Sequence, residues 1–161
     1  HQEVPYGFKV DAFLHAQEEG YELAFWLDSS CILVNELPWD ELEDRGYWLH
    51  AEGWTVGQWI NEEARGILNL TREQAGKMTL MEGKIIGLDL THPIGRDFLR
   101  EWKHYRDEGA FNGSWEDHRH DITVGGVLSH RMSLELNHNA VVIGPPGSPT
   151  TSSTIVLAAG L

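Results

Sequence analysis

The stretch that decides the fold is YELAFWLDSS, residues 21–30. Between Glu22 and Asp28 every residue is apolar or aromatic, without the alternation of polar residues that marks a half-exposed strand. This run predicts a strand over residues 21–27 that is buried on both faces, as is typical of a parallel sheet covered by helices. The sequence then turns polar at Asp28, which indicates that a loop follows the strand.

The segments around this strand alternate between helical and strand-like patterns. Apolar residues at helical spacing predict helices over residues 9–19, 38–45, 56–68, 93–108 and 121–134. Thr71 followed by Gln74 predicts a capping box at a further short helix. Runs of branched or aromatic residues predict strands over residues 47–49, 84–90, 140–143 and 154–157. This alternation predicts a single α/β domain over residues 1–161, an αβα sandwich whose central sheet is mostly parallel and binds ligands at the carboxyl ends of its strands.

The composition describes a globular chain with a strong acidic excess. The 161 residues are 41% hydrophobic and carry a formal net charge of −13, which repels a polyanionic backbone and argues against nucleic acid as a partner. No apolar run reaches the roughly 18 residues of a transmembrane helix, and the single cysteine, Cys31, excludes an internal disulfide. We therefore expect a cytoplasmic location. Because the chain begins with His1 rather than methionine, we also expect an upstream segment.

The first candidate site residue is Asp28, where the predicted strand runs into its loop. A carboxylate in this position can hold a divalent cation, Mn²⁺ or Mg²⁺, against a diphosphate, and the hydroxyl of Ser30 can supply a further oxygen. The same residues are also ordinary choices for a turn or a helix N-cap. The spacing alone leaves both interpretations open.

The second candidate is the segment SWEDHRHD, residues 114–121, which combines carboxylates, imidazoles and a guanidinium. Such a density of charge is costly to bury without partners, so the segment is either a solvated loop or a polar site. We favour the site, with Asp117 and Asp121 as the catalytic carboxylates. The substrate-binding candidates in this segment are His118, Arg119 and His120. A zinc site built from the two histidines is a weaker alternative, because an extended segment points them to opposite sides.

A third and weaker candidate is MEGK, residues 81–84, which leads into the predicted strand over residues 84–90. Gly83 can let the backbone approach a sugar, and Glu82 can accept hydrogen bonds from its hydroxyl groups. An ordinary turn is equally compatible with this pattern. An exposed tryptophan such as Trp115, next to the polar segment, would suit stacking on a sugar face.

Four motifs in this order resemble GT-A glycosyltransferases of bacterial and viral polysaccharide pathways. They are PYGFK (residues 5–9), FWLDSS (25–30), GKIIGLDL (83–90) and GSWEDHRHD (113–121). The resemblance implies a GT-A-like fold that lacks its first nucleotide-binding strands, with Asp28 at the metal and the donor diphosphate. The residues that it implies around the donor sugar are Glu82, Gly83 and Asp121. In two places the chain departs from the family: Ser30 replaces the second acidic ligand, and Ile122 stands where relatives often have glutamine.

The resemblance implies transfer of a sugar from a nucleotide-diphosphate sugar donor to a glycan or other hydroxyl acceptor. In this hypothesis Asp28 organises a divalent cation, and Arg119 or a histidine offsets the charge of the leaving diphosphate. Asp117 or Asp121 orients the donor or the acceptor. The alternative is a sugar or nucleotide-sugar binding domain without catalysis, and metal-assisted hydrolysis is the third hypothesis. The transferase hypothesis predicts that Asp28 and Asp121 face one cleft.

Overall fold

The computed structural model describes residues 4–158, and in this part of the chain the mixed α/β class is confirmed. The helices are α1 (Gly7–Glu18), α2 (Trp39–Arg45), α3 (Glu62–Ile67), α4 (Arg72–Gly76), α5 (Pro93–Asp107) and α6 (His120–Arg131), with a 3₁₀ turn at Val56–Gln58. The strands are β1 (Leu23–Leu27), β2 (Cys31–Leu33), β3 (Tyr47–Trp48), β4 (Ala51–Thr55), β5 (Thr79–Met81), β6 (Ile85–Asp89), β7 (Val141–Ile143) and β8 (Val156–Ala158). None of these helices is both long and apolar enough to cross a membrane.

The central sheet is antiparallel, with strand order β1-β6-β3. Leu27 of β1 pairs with Ile85 at the start of β6, and Tyr47 of β3 pairs with Leu88 near its end. A second sheet has the order β2-β8-β7 and contains the parallel pair β7–β8, while β4 and β5 form an antiparallel pair. The prediction of a mostly parallel central sheet is therefore wrong for the described residues.

The pattern of burial explains why the sequence predicts the wrong direction for the strands of the central sheet. All five residues of β6 are buried, because β6 has a strand on either side and is covered on both faces. The five residues of β1, at one edge of the sheet, are only half-buried, whereas both residues of β3 at the other edge are buried. An uninterrupted apolar run indicates low exposure, but it does not encode the direction of the neighbouring strand.

A layer of helices packs against the sheet and contains much of the aromatic core. Phe13 of α1, Phe98 and Trp102 of α5, and Phe111 after α5 belong to one buried cluster. Trp102 is fully buried, and its indole Nε1 donates a hydrogen bond of 3.1 Å to the backbone oxygen of Asp121. This bond fixes the start of α6 against the middle of α5, and with it the place from which the Asp121 side chain projects.

Helix α6 also approaches β5 closely, and two glycines make this possible. A Cβ on Gly126 would lie 2.6 Å from the backbone oxygen of Thr79, and a Cβ on Gly125 would collide with the side chain of Met81. The sequence indicates that Gly125 and Gly126 weaken the helix, and in the structure they permit this contact. The first turn of α6 consequently lies beside the loop that follows β5.

The short elements between β3 and β5 differ most from the prediction. In place of one helix over residues 56–68, the chain forms the 3₁₀ turn and then α3, which Asn61 caps by accepting a hydrogen bond of 2.8 Å from the nitrogen of Ala64. The capping box at Thr71 and Gln74 is confirmed, with hydrogen bonds of 3.1 and 2.8 Å. No strand is predicted where β4 and β5 lie, although their pairing shapes one wall of the candidate site.

Candidate functional site

A cleft of about 410 Å³ opens where the loop after β1, the loop after β5 and the start of α6 meet. The predicted site residues that line it are Asp28, Ser30, Glu82, Gly83 and Asp121. Its other polar and aromatic lining residues are Tyr6, Lys9, Glu52, Lys84 and Trp115. The prediction that Asp28 and Asp121 face one cleft is confirmed. The remaining predicted site residues, Asp117, His118, Arg119 and His120, are not among those that line the cleft.

Lys9 of α1 forms the floor of the cleft and joins its two predicted carboxylates. Its ammonium nitrogen lies 3.2 Å from Asp121 Oδ2 and 3.4 Å from Asp28 Oδ1, and it donates a hydrogen bond of 2.8 Å to the oxygen of Gly83. The residue is only 2% exposed. Burial by itself lowers the pKa of Lys9, but Asp121 and then Asp28 outweigh burial and raise it, so the ammonium is charged at neutral pH.

Lys9 is not among the predicted site residues, although α1 contains a signal for it. Lys9 precedes the buried Phe13 by four residues and therefore lies on the same face of the helix. A lysine on the apolar face of a helix needs a partner for its charge, since an unpaired buried ammonium is strongly unfavourable. What the sequence does not indicate is which carboxylates supply that partner.

Asp121 is almost completely buried at the start of α6. Burial raises the pKa of its carboxyl group to about 6, and this rise is opposed by the charge of Lys9 and by the hydrogen bonding around the group. The ammonium approaches Asp121 Oδ2 as an ion pair and not along an aligned hydrogen bond, and no donor among the described residues is aligned with this oxygen. Asp121 Oδ2 is therefore a buried acceptor at the floor of the cleft that no aligned donor of the described residues satisfies.

Asp28 is the more accessible of the two carboxylates, with 32% of its side chain exposed. Its Oδ1 accepts a hydrogen bond of 2.7 Å from the indole nitrogen of Trp26, which is on β1. This bond orients the carboxylate from the strand side, while Lys9 lies on the side of the cleft floor. Strand β1 and helix α1 together determine the direction in which Asp28 points.

The loop after β5 holds the next part of the wall. Glu82 Oε1 accepts hydrogen bonds from the backbone nitrogens of Gly83 and Lys84, at 2.9 and 3.0 Å, and lies 3.2 Å from Lys84 Nζ. This carboxylate oxygen thus orders its own loop. Gly83 contributes by close approach, since a Cβ there would lie 2.6 Å from Ile122 Cγ2 and 3.0 Å from Lys9 Nζ. In the structure the glycine makes room for Ile122 and Lys9, whereas the sequence predicts the approach of a sugar.

Glu52 on β4 is the second residue of the cleft that is not among the predicted site residues. It lines the cleft and is half-buried. Burial and then the negative charge of Glu82 raise the pKa of Glu52 to about 7, although Lys84 and Arg119 act in the opposite direction. The residue follows Ala51 in a stretch with Gly53, which has no clear strand pattern, so its position on a strand could not be predicted from the sequence.

The histidines of the 114–121 segment anchor the loop to the core, which corrects their prediction as substrate-binding residues. His118 is fully buried, and its Nε2 lies 2.9 Å from the oxygen of Ala110. His120 Nδ1 lies 2.8 Å from the oxygen of Phe111. Burial lowers the pKa of both imidazoles, so they are neutral at pH 7 and cannot offset the charge of a diphosphate. Asp117 is exposed on the loop and is not among the residues that line the cleft, so its predicted catalytic role stays a prediction.

Arg119 is held between two tryptophan rings, and this position differs from the predicted contact with a phosphate. Its guanidinium carbon lies 3.7 Å from the ring centroid of Trp59 and 4.1 Å from that of Trp115. Cation–π contact of this kind fixes the Trp115 ring. Trp115 is 48% exposed and lies 5.4 Å from the ring of Tyr6, so the two rings form an aromatic rim on the cleft.

The ligand geometry does not fit a divalent cation shared by Asp28 and Asp121, because the ammonium of Lys9 lies between them. Within residues 4–158, no group of three or more His, Cys, Asp or Glu side chains converges in a way that could hold a metal ion. A zinc site built from His118 and His120 is not supported either, since a ring nitrogen of each histidine contacts a backbone carbonyl oxygen. The divalent cation stays a prediction that the arrangement of the described ligands does not support.

Comparison with known proteins does not add a family to these observations. No family model matches the chain, and the searches found no matching curated protein and no matching solved structure. The geometry and chemistry of the cleft therefore carry the functional assignment.

Proposed function

We propose that this chain transfers a sugar from a nucleotide-diphosphate sugar to a glycan or other hydroxyl acceptor, and that its domain is GT-A-like. The observation that carries the proposal is the meeting of Asp28 and Asp121, from two separate motifs, at Lys9 on the floor of one cleft. The mixed α/β class and the position of Asp28 directly after a strand of the central sheet support the same proposal.

The cleft offers the two kinds of surface that a sugar ring requires. Trp115 and Tyr6 provide aromatic faces at the rim, which suit the apolar C–H face of a hexose. Asp28, with 32% of its side chain exposed in the cleft, provides a carboxylate acceptor, which suits a sugar hydroxyl group. A donor sugar stacked on the rim would therefore direct hydroxyl groups towards the carboxylates of the floor.

Glu52 is suited to accept the proton of the acceptor hydroxyl group, because a general base works best when its pKa is near the operating pH and that of Glu52 is raised to about 7. In the transfer step the bond from the anomeric carbon to the diphosphate oxygen breaks, and the nucleoside diphosphate leaves with the bonding electrons. A bond from the anomeric carbon to the acceptor oxygen forms, and Glu52 takes the proton. Lys84, the more exposed of the two lysines in the cleft, offers positive charge to the leaving group.

Asp28→Asn tests the proposal with little change in shape. The full chain is incubated with uridine- and guanosine-diphosphate hexoses and an oligosaccharide acceptor, and the release of nucleoside diphosphate is measured. We expect release by the wild-type chain with at least one donor. We expect Asp28→Asn to release nucleoside diphosphate more slowly by roughly 10- to 100-fold. The reason is that a hydrogen bond from a donor-sugar hydroxyl group to the charged carboxylate contributes about 1.5–3 kcal/mol.

The matched control is Asp44→Asn, which changes an exposed carboxylate on α2 and should leave the rate unchanged. Thermal unfolding of both variants shows that they are folded at the assay temperature. If Asp28→Asn releases nucleoside diphosphate at the wild-type rate, Asp28 takes no part in transfer. If the wild-type chain releases none with any donor, the proposed transfer is wrong. Binding of a donor without release, detected by saturation-transfer NMR, would support the non-catalytic alternative.

A further inference from the structure

The oxygen atoms around Lys9 resemble the surroundings of a bound cation. An ammonium group has three N–H donors and no acceptor. Lys9 donates one hydrogen bond of 2.8 Å to the oxygen of Gly83, and its nitrogen lies 3.2 and 3.4 Å from carboxylate oxygens of Asp121 and Asp28 as ion pairs. Since Lys9 is 2% exposed, the surrounding protein takes the place of water around its charge.

Three different elements hold this ammonium in place. Helix α1 carries Lys9, and the rings of Tyr6 and Trp26 lie with their centroids 5.4 and 5.7 Å from its nitrogen. Trp26 also donates to Asp28 and so orients one of the two carboxylates. Gly83 provides the third contact, and any side chain there would enter the space that the ammonium needs. The position of the charge is thus determined by the fold and does not depend on a flexible surface side chain.

We propose that Lys9 is the resident cation of this cleft, in the place between Asp28 and Asp121 that a divalent cation would occupy, so that the site works without a bound metal. A Mg²⁺ or Ca²⁺ ion shared by the two carboxylates would lie about 2.0–2.6 Å from an oxygen of each. The ammonium occupies the space between these oxygens and repels a second cation. Ser30 fits this assignment, since a site whose cation is covalently part of the chain does not need a second acidic metal ligand.

This inference deepens the proposed sugar transfer and rests on it for the role that the cation plays. Its test needs no sugar. Mn²⁺ is titrated into the full wild-type chain at pH 7, and the free ion is followed by its electron paramagnetic resonance signal. We expect no site with a dissociation constant below about 1 mM that depends on Asp28. A site with a dissociation constant below about 1 mM in the wild type that disappears in Asp28→Asn would overturn the inference.

Lys9→Met supplies the complementary result, because methionine keeps the length of the side chain and removes its charge. The variant leaves two carboxylates without their cation, so we expect it to bind Mn²⁺ at least about tenfold more tightly than the wild type. Mn²⁺ should also raise the unfolding temperature of Lys9→Met and not that of the wild type. The control is Lys103→Met, which removes an exposed ammonium paired with Asp107 on α5.

The outcomes separate this inference from the proposed function. If Lys9→Met folds and binds Mn²⁺ no more tightly than the wild type, Lys9 does not stand in a cation site and the inference fails. If Lys9→Met does not fold, the wild-type and Asp28→Asn titrations decide the question by themselves. A wild-type chain that binds no Mn²⁺ and transfers no sugar leaves the inference intact and removes the proposed function.

Discussion

Glu52→Gln should stabilise the protein at alkaline pH and leave its stability unchanged in acid. Burial and the charge of Glu82 raise the pKa of Glu52 from 4.5 to about 7 in the folded state. Between these values the folded state retains a proton that the unfolded state releases, so stability falls as the pH rises from about 4.5 to 7. A rise of this size corresponds to roughly 3 kcal/mol for a fully buried group. Because Glu52 is only half-buried, solvent screening reduces the expected effect to about 1–2 kcal/mol.

The measurement is urea unfolding of the wild type and Glu52→Gln at pH 4 and pH 8, followed by tryptophan fluorescence. We expect equal free energies of unfolding at pH 4 and a more stable variant at pH 8. Asp121, whose pKa is raised to about 6, lowers wild-type stability with the same sign; both proteins carry this effect, and only its repulsion with Glu52 remains in the difference. Glu63→Gln, on the exposed face of α3, is the control. A difference between wild type and Glu52→Gln that is the same at both pH values would refute the raised pKa of Glu52.

Two further predictions compare matched residues inside and outside the cleft. Trp115→Ala should weaken binding of a hexose donor by about tenfold in calorimetry. Trp54→Ala, which changes a similarly exposed ring away from the cleft, should not weaken it. Equal losses of affinity in the two variants would contradict the role of the aromatic rim. Gly83→Ala should lower the free energy of unfolding by about 1–3 kcal/mol because its Cβ meets Ile122. Gly66→Ala, in open space on α3, should instead raise the free energy of unfolding by up to about 1 kcal/mol. If Gly83→Ala were the more stable of the two variants, the close packing around Gly83 would be wrong.

Several elements could be predicted because their signals are local. The apolar stripe and the first proline predict the long helix α5 to within a residue at each end. The branched run over residues 84–90 contains β6, and the run over residues 21–27 contains β1. In each case the pattern depends on neighbours within one element, and such neighbours experience the same burial in the folded protein.

The polar segment over residues 114–121 shows where local information ends. Its composition predicts a polar site, and one of its carboxylates, Asp121, does reach the cleft. The preceding residue, His120, has a left-handed backbone conformation with φ of 42°, and its imidazole contacts the backbone oxygen of Phe111. The guanidinium of Arg119 lies between two tryptophan rings. These directions depend on the helix α5, the turn after it and the residues near Trp59, which are distant in sequence. Composition alone could not separate Asp121 from Asp117.

The sequence by itself determined the helices and strands with strong periodicity, the mixed α/β class, and the two motifs that supply Asp28 and Asp121. Only the tertiary structure decided the antiparallel order of the central sheet, the burial of Lys9 between the two carboxylates, and the position of Glu52 in the cleft wall. The physical reason is that periodicity records how exposed each residue is within its own element. The partner of a strand and the partner of a buried charge are set by contacts between residues far apart in the chain, and one sequence does not record those pairings.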